Sequence, residues 1–435
     1  MAYPKLPNLE RRLSEFRLYA QLQHEYGAAG IVAVAKEADR ALATALKRLQ
    51  SLPVDKALAR KEPSGLAAIR ALRPAGPRRM CDAIDSAHYA ERLEGALLGR
   101  MAGCTLGAIV EGWSIEAMAT LAAANGDNFP PTDYWSDIPN PDRLRYSFSP
   151  QRAYTRRGLD GVPVDDDTVY TLLGLLIVED CGPDFTVDDV GKAWLKYLPY
   201  ACTAEEVALE NLRQGVPAMK AAEKNNPYCE WIGADIRSDP WGYLAPGWPE
   251  KAAELAWRDA YLSHRRQGFY GEMFFAAAIA AAFVVDDPVE ALRIGLTEIP
   301  RDCATAKAVR WALKLAPEIK DYRQARAAVD EKFAGMHPVH TINNACLSIW
   351  GLTIGGRDFT RVIGETVAMG LDNDCTAATS GSLAGAILGK KGLPKHWYRG
   401  FNNTIHSYLT RRKVFRIDDL LTRFAKQAKK IAQAK

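Results

Sequence analysis

Asp372-Asn373-Asp374-Cys375-Thr376-Ala377-Ala378-Thr379-Ser380-Gly381-Ser382-Leu383-Ala384-Gly385-Ala386-Ile387-Leu388-Gly389 opens with two carboxylates and continues as a small-residue helical stretch with glycine at every fourth position. Spacing by four sets Gly381, Gly385 and Gly389 on one slowly drifting helix face, where a second backbone can approach closely. The same device recurs at Gly99, Gly103 and Gly107. A second acidic cluster, Asp165-Asp166-Asp167-Thr168, opens the apolar stretch that runs to Glu179. One Asp at a helix start is ordinary capping, because the free N–H groups and the positive dipole end favour it. Two or three carboxylates exceed what a cap needs, and their repulsion is relieved most simply by a hard cation with oxygen ligands. Each cluster alone therefore reads either as a solvated, capped helix end or as half of a metal site.

The remaining pattern is helical. With 435 residues and 48% apolar content the chain can bury a large core. From Tyr89 to about Thr410 the apolar spacing is that of helices, without a convincing alternating strand, so an all-α domain is expected. Helices are predicted over Tyr89 to Met101, Ser114 to Ala124, Asp167 to Glu179, Val187 to Tyr197, Glu250 to Ser263, Gly271 to Val285, Ala304 to Leu315, Thr341 to Leu352, Phe359 to Met369 and Cys375 to Leu388. The organisation expected is an N-terminal helical extension and linker over 1–80, the all-α domain over 81–410, and a basic C-terminal helix over 411–435. Within the extension, apolar residues from Leu9 to Leu46 broken at Gly27 and Gly30 predict a helical hairpin, and Pro63 to Arg79 reads as a linker. The hairpin is a candidate arm for homo-oligomerisation or a cover over the domain.

Composition narrows the partners. The longest apolar run, Met273 to Val285, is too short to span a bilayer, so no membrane segment is expected. The N-terminus lacks a signal-peptide pattern, which predicts a cytoplasmic protein. Eight cysteines without a CxxC pair argue against structural zinc and a disulfide framework. Residues 1–80 carry 15 Lys/Arg against 7 Asp/Glu and residues 408–435 carry 9 against 2, leaving the segment between them acidic and suited to a cation. The basic ends read as solvated helix faces, and nucleic acid is not an expected partner. Residues 127–164 and 225–249 are rich in Pro and Gly and crowded with aromatics, either pinning long loops to the surface or offering rings for stacking on a flat substrate.

Four ordered blocks carry a resemblance: Gly99-x3-Gly103-x3-Gly107 followed by Glu111, Asp166-Asp167-Thr168, the glycine segment Gly268-Phe269-Tyr270-Gly271-Glu272-Met273, and Asp372-Asn373-Asp374 with its glycines. Over about residues 89–395 the chain resembles the ADP-ribosylglycohydrolase family, which includes the dinitrogenase reductase-activating glycohydrolase and the non-enzymatic J1 crystallin. The resemblance implies an all-α orthogonal helical bundle, here carrying the N-terminal hairpin as an extension. It also implies a binuclear Mg²⁺ or Mn²⁺ centre that cleaves the bond between ribose C1 and a nitrogen or oxygen. In that reading Asp166, Asp167, Asp372 and Asp374 are metal ligands, joined by the Thr376 hydroxyl. Glu111 or Asp165 is the proton-transferring acid, with Glu111 favoured. Gly268, Tyr270, Gly271 and Glu272, read as a loop, hold the ribose or phosphate part of the substrate. His340 is either a substrate contact or a satisfied buried histidine, and Asn343 and Asn344 stand beside it.

The chain departs from the family pattern at four places. Asp165 replaces the usual Thr, Cys375 the usual Thr or Ser, Cys104 the common Asp, and Phe274 the frequent Arg. Loss of that arginine weakens the case for a diphosphate contact, so an ADP-ribosylated protein and a smaller nucleoside-like N-riboside are both expected substrate classes. A non-catalytic binding or structural protein that retains the fold is the third reading.

Overall fold

The structure, a computed structural model, describes residues 3–82 and 85–433. The first two residues of the expected extension, Ala83 and Ile84 at the head of the expected domain, and the last two residues of the expected C-terminal helix lie outside it. The described residues form helices joined by loops and short 3-10 turns, with only two small antiparallel ribbons, Leu144–Arg145 with Ser149–Pro150 and Thr404–His406 with Val414–Arg416. The fold is the all-α bundle that the helical periods predict.

The chain divides into two units, one running to Arg60 and one from Lys61 to the C-terminus. The first holds two helices, Leu9–Glu25 and Ile31–Gln50, separated by the break expected at Gly27 and Gly30, and neither helix buries a residue. Asn8 caps its first helix by accepting from the Arg11 amide at 2.8 Å, and Gly30 takes the left-handed backbone conformation (φ 88°) that lets the second begin.

In the second unit two glycine-bearing helices, Ser86–Gly107 and Asn373–Leu388, form the central pair. A Cβ added at Gly95 would stand 2.3 Å from the Gly385 carbonyl oxygen, at Gly99 2.2 Å from that of Gly381, and at Gly103 2.0 Å from that of Ala377. At Gly107 it would lie 2.5 Å from Asp374 Cα. No side chain fits between these backbones, so the glycine ladder sets their separation and fixes the acidic start of one helix beside the end of the other. By length and composition Ser86–Val110 could cross a bilayer, but the apolar stretch is 94% buried in protein and reads as a core helix.

Three expectations change on folding. Pro63 to Arg79 is not a bare linker: Leu66–Leu72 is helical with Ile69 buried, and Arg73 and Arg78 both pair with buried Glu298 at 2.6 Å. Gly268 to Met273 is not a loop but lies within the buried helix Gln267–Ala282. Its glycines serve packing, since a Cβ at Gly268 would meet the Cys229 carbonyl oxygen at 2.4 Å and one at Gly271 the Asp235 carboxylate at 2.0 Å. The segment 225–249 contains a 3-10 turn, Ile232–Arg237, and a short helix, Ser238–Leu244. Toward the C-terminus the helix Ile417–Gln433 buries Leu420, Phe424, Ala428 and Ile431 against the body and turns its basic face outward.

Candidate metal centre

Asp165 caps the helix Asp166–Cys181, accepting from the Asp167 amide at 3.1 Å, and Asp372 stands at the N-cap of Asn373–Leu388. The two helix starts converge. Asp165 and Asp167 gather with Cys104, and Asp372 and Asp374 with Glu111, each trio offering ligand atoms within 4.8 Å of one another. Asp165, Asp167, Asp372 and Asp374 are buried, whereas the Glu111 side chain is 41% exposed.

Arg145 joins the two trios. Its Nε donates to Asp165 at 2.9 Å, and its Nη2 donates to Glu111 at 2.9 Å and to Asp374 at 2.8 Å. Next to it the Tyr146 hydroxyl donates to Asp166 at 2.5 Å. Neither residue is marked by any sequence motif, because the 38-residue stretch that carries them is irregular and their partners lie up to 229 positions away. From behind, fully buried Arg100 donates to the Asp167 carbonyl at 2.5 Å, the Thr171 hydroxyl at 2.8 Å and the Asp239 carboxylate at 2.6 Å, fixing the first cluster to the central helix.

The electrostatics describe a place short of positive charge. Burial and the adjacent Asp165 push Asp166 up to about 6, against the lowering effect of the Tyr146 hydroxyl and Arg145. Burial and neighbouring carboxylates likewise raise Asp167, Asp372 and Asp374. The thiols of Cys104 and Cys375 are raised by burial and by the same acids, and a soft sulfur is a poor match for a hard cation. Within the centre Asp167 Oδ1, Asp374 Oδ1 and Thr376 Oγ1 are buried without a hydrogen-bond partner. Orphaned hard oxygens amid surplus carboxylate fit a divalent cation such as Mg²⁺ or Mn²⁺.

The remaining predicted site residues go elsewhere. Tyr270 donates its hydroxyl to the Pro63 carbonyl at 2.6 Å, and Glu272 accepts from Trp241 Nε1 at 2.7 Å. Both are fully buried in structural contacts. His340 is the N-cap of Thr341–Gly355, its Nδ1 accepting from the Ile342 amide at 3.2 Å, the satisfied role. Asn344 does reach the centre's scaffold, its side-chain oxygen accepting from the Asp372 amide at 3.2 Å. The aromatics of 127–164 mostly pin the loop: Trp135 donates to the Leu106 carbonyl at 3.0 Å and Tyr134 to the Trp397 carbonyl at 2.6 Å. Tyr146 is the exception, resting near Tyr200 and Tyr408 beside the acids.

An all-α body in which two acidic helix starts converge, one of them fixed by a glycine ladder to the end of the central helix, defines a class of proteins built around an acid-lined centre. The ADP-ribosylglycohydrolase family profile matches residues 85–430, and the chain belongs to that family. A solved structure described as an ADP-ribosylglycohydrolase-related protein complex shares the fold, with a TM-score of 0.54 and 21% identity over 80% of this chain and 99% of that one. No curated protein matches the chain.

Proposed function

We propose that the protein is a metal-dependent hydrolase that cleaves the C1 glycosidic bond of an ADP-ribosylated or related ribosylated substrate. The observation that carries this reading is the convergence of five buried or partly buried carboxylates with the orphaned oxygens of Asp167, Asp374 and Thr376. Asp166, Asp167, Asp372, Asp374 and the Thr376 hydroxyl would hold two ions, Mg²⁺ or Mn²⁺. When bound, such ions acidify water and orient ribose hydroxyls.

Departure of a group from C1 leaves oxocarbenium-like character in the sugar, and the surplus of carboxylate around the centre is suited to stabilise it. A proton must be removed from the attacking water and returned to the leaving group. Glu111 suits that task better than Asp165, because Asp165 commits one oxygen to the Asp167 amide and the other to Arg145, whereas Glu111 gives Arg145 one oxygen only and its side chain is exposed. A Glu111→Gln variant is expected to lose about 10²- to 10⁴-fold in turnover while still binding Mn²⁺ by calorimetry.

A smaller N-riboside is the second reading, favoured by Phe274. Where many relatives carry Arg, this side chain is fully buried against Phe275 and offers no cation to a diphosphate. The test is incubation with Mg²⁺, Mn²⁺ or EDTA and a panel of ADP-ribosyl-arginine, ADP-ribosyl-serine peptide, α-NAD and nucleosides, with release of the C1 substituent followed by mass spectrometry. Metal-dependent release from an ADP-ribosylated compound supports the first reading, and release from nucleosides alone supports the second. Full activity of Asp166→Asn and Asp372→Asn in chelator would overturn both.

A further inference from the structure

Arg145 sits at the tip of a ribbon built for tension. Leu144–Arg145 pairs with Ser149–Pro150, and the Phe148 amide closes the turn on the Arg145 carbonyl at 3.1 Å. The two residues at the turn's centre, Tyr146 and Ser147, both have positive φ, 51° and 59°. A turn with two left-handed residues is the Asn-Gly kind, and a tyrosine followed by a serine holds it at a conformational cost. What offsets that cost is visible at the tip. Tyr146 donates to Asp166, the Tyr200 hydroxyl donates to the Tyr146 carbonyl at 3.1 Å, and Arg145 reaches three carboxylates.

The guanidinium therefore holds Asp374, one of the proposed ligands, together with the flanking acids Glu111 and Asp165. An ion bound at Asp374 would lie close to the guanidinium that stands 2.8 Å from that carboxylate, and two positive charges so near one another repel. Asp374 Oδ1 and Thr376 Oγ1 meanwhile remain buried without a hydrogen bond, and Asp167 Oδ1 has only the Arg100 guanidinium at 3.5 Å, so Arg145 satisfies the centre only in part.

We infer that Arg145 is a built-in counter-cation of the acidic centre, competing with divalent ions at Asp374 and for the negative field that Glu111 and Asp165 add, and that its hairpin is a lid which metal loading releases. The inference rests on the metal-dependent reading of the centre. Closed, the lid neutralises part of the acid surplus and covers the site. Metal binding displaces the guanidinium, and the strained Tyr146-Ser147 turn is freed to relax. The observed metal affinity is then the intrinsic affinity reduced by the fraction of molecules with the lid open.

The experiment titrates Mn²⁺ alone into the full chain by calorimetry for wild type, Arg145→Gln and Arg145→Lys, with hydrogen exchange of residues 142–151 followed with and without Mn²⁺. Coupling between a binding event and a second equilibrium typically changes affinity about 5- to 150-fold. Arg145→Gln is expected to bind Mn²⁺ at least about fivefold tighter, with Arg145→Lys closer to wild type. The 142–151 amides of wild type are expected to exchange faster once Mn²⁺ is bound, and those of Arg145→Gln to exchange fast in either condition. Equal or weaker binding by Arg145→Gln, or wild-type amides unmoved by bound Mn²⁺, would overturn the lid while leaving the metal centre intact. No Mn²⁺ binding by any of the three would instead overturn the metal reading beneath it.

Discussion

Arg100 leaves the Ser86–Gly107 helix with no exposure, and a charge so placed is tolerated only while its partners satisfy it. Four do: the carbonyls of Asp167 and Ile236, the Thr171 hydroxyl and the Asp239 carboxylate. The residue thus ties the start of one acidic helix to the central pair and acts on the centre only through Asp167. Arg100→Met removes the cation and leaves Asp239 buried with Tyr243 and Ser382 as its remaining polar neighbours. The expected cost is about 3–5 kcal/mol of stability, read as a lowered urea midpoint with unchanged slope. Asp239→Asn combined with Arg100→Met is expected to recover part of that loss, because the orphaned charge is then gone. A double variant no more stable than Arg100→Met would show that the pair itself is not what matters.

At the scale of elements, the glycine ladder turns a sequence period into a dimension of the acidic centre. Since Gly107 packs on Asp374 Cα, any separation of the two helices also moves Asp374 relative to Glu111. Gly103→Ala forces a methyl into a gap where the Ala377 carbonyl oxygen stands 2.0 Å from the new atom, and backbone must shift. The expected cost is about 1–3 kcal/mol or more, with weakened Mn²⁺ binding, measured by denaturant melts and calorimetry. Gly65→Ala is the control, since nothing lies within 4 Å of its added Cβ, and it should be near neutral.

This ladder was legible in the chain because both partners wrote the same period of four, and the acid clusters were legible because capping leaves extra carboxylates unexplained. The glycines at 268 and 271 mislead for the same physical reason that the others inform. Glycine marks close backbone approach, and here the approach is to Cys229 and Asp235 inside a helix, not the bend of a loop. Helix Tyr322–Lys332 carries little helical period in its sequence because its buried face is only Tyr322, Ala325 and Val329 in a polar stretch. Arg145 was unreadable because nothing local distinguishes it from its neighbours. Its role exists only once two helix starts, distant in sequence, are brought to one place.

Across the whole molecule, buried acid exceeds buried base, and this sets how stability responds to pH. Among the described residues Arg237 is the sole cation paired with Glu205 and Asp259, each at 2.6 Å, and it lies 3.6 Å from Glu272. One guanidinium cannot neutralise three carboxylates, so the surplus favours protonation. Burial pushes Glu205 up to about 7 from an ordinary 4.5, with Arg237 pulling the other way, and raises Glu272 well above its usual range. A carboxyl that holds its proton more tightly when folded contributes stability below pH 4.5, and that contribution is lost as pH rises through 7. His264, adjacent and buried, is pushed down by burial and by Arg237 and so works in the opposite direction below its ordinary value of 6.5. The wild-type melt alone therefore mixes two slopes. Comparison with Glu205→Gln separates them, because His264 contributes to both proteins. Urea midpoints taken between pH 4 and 8 in EDTA are expected to show wild type losing ground to Glu205→Gln by about 1–3 kcal/mol from pH 4.5 to 7 and holding a constant difference above that. A difference independent of pH would mean that Glu205 stays ionised throughout, with Arg237 belonging to it rather than to Asp259.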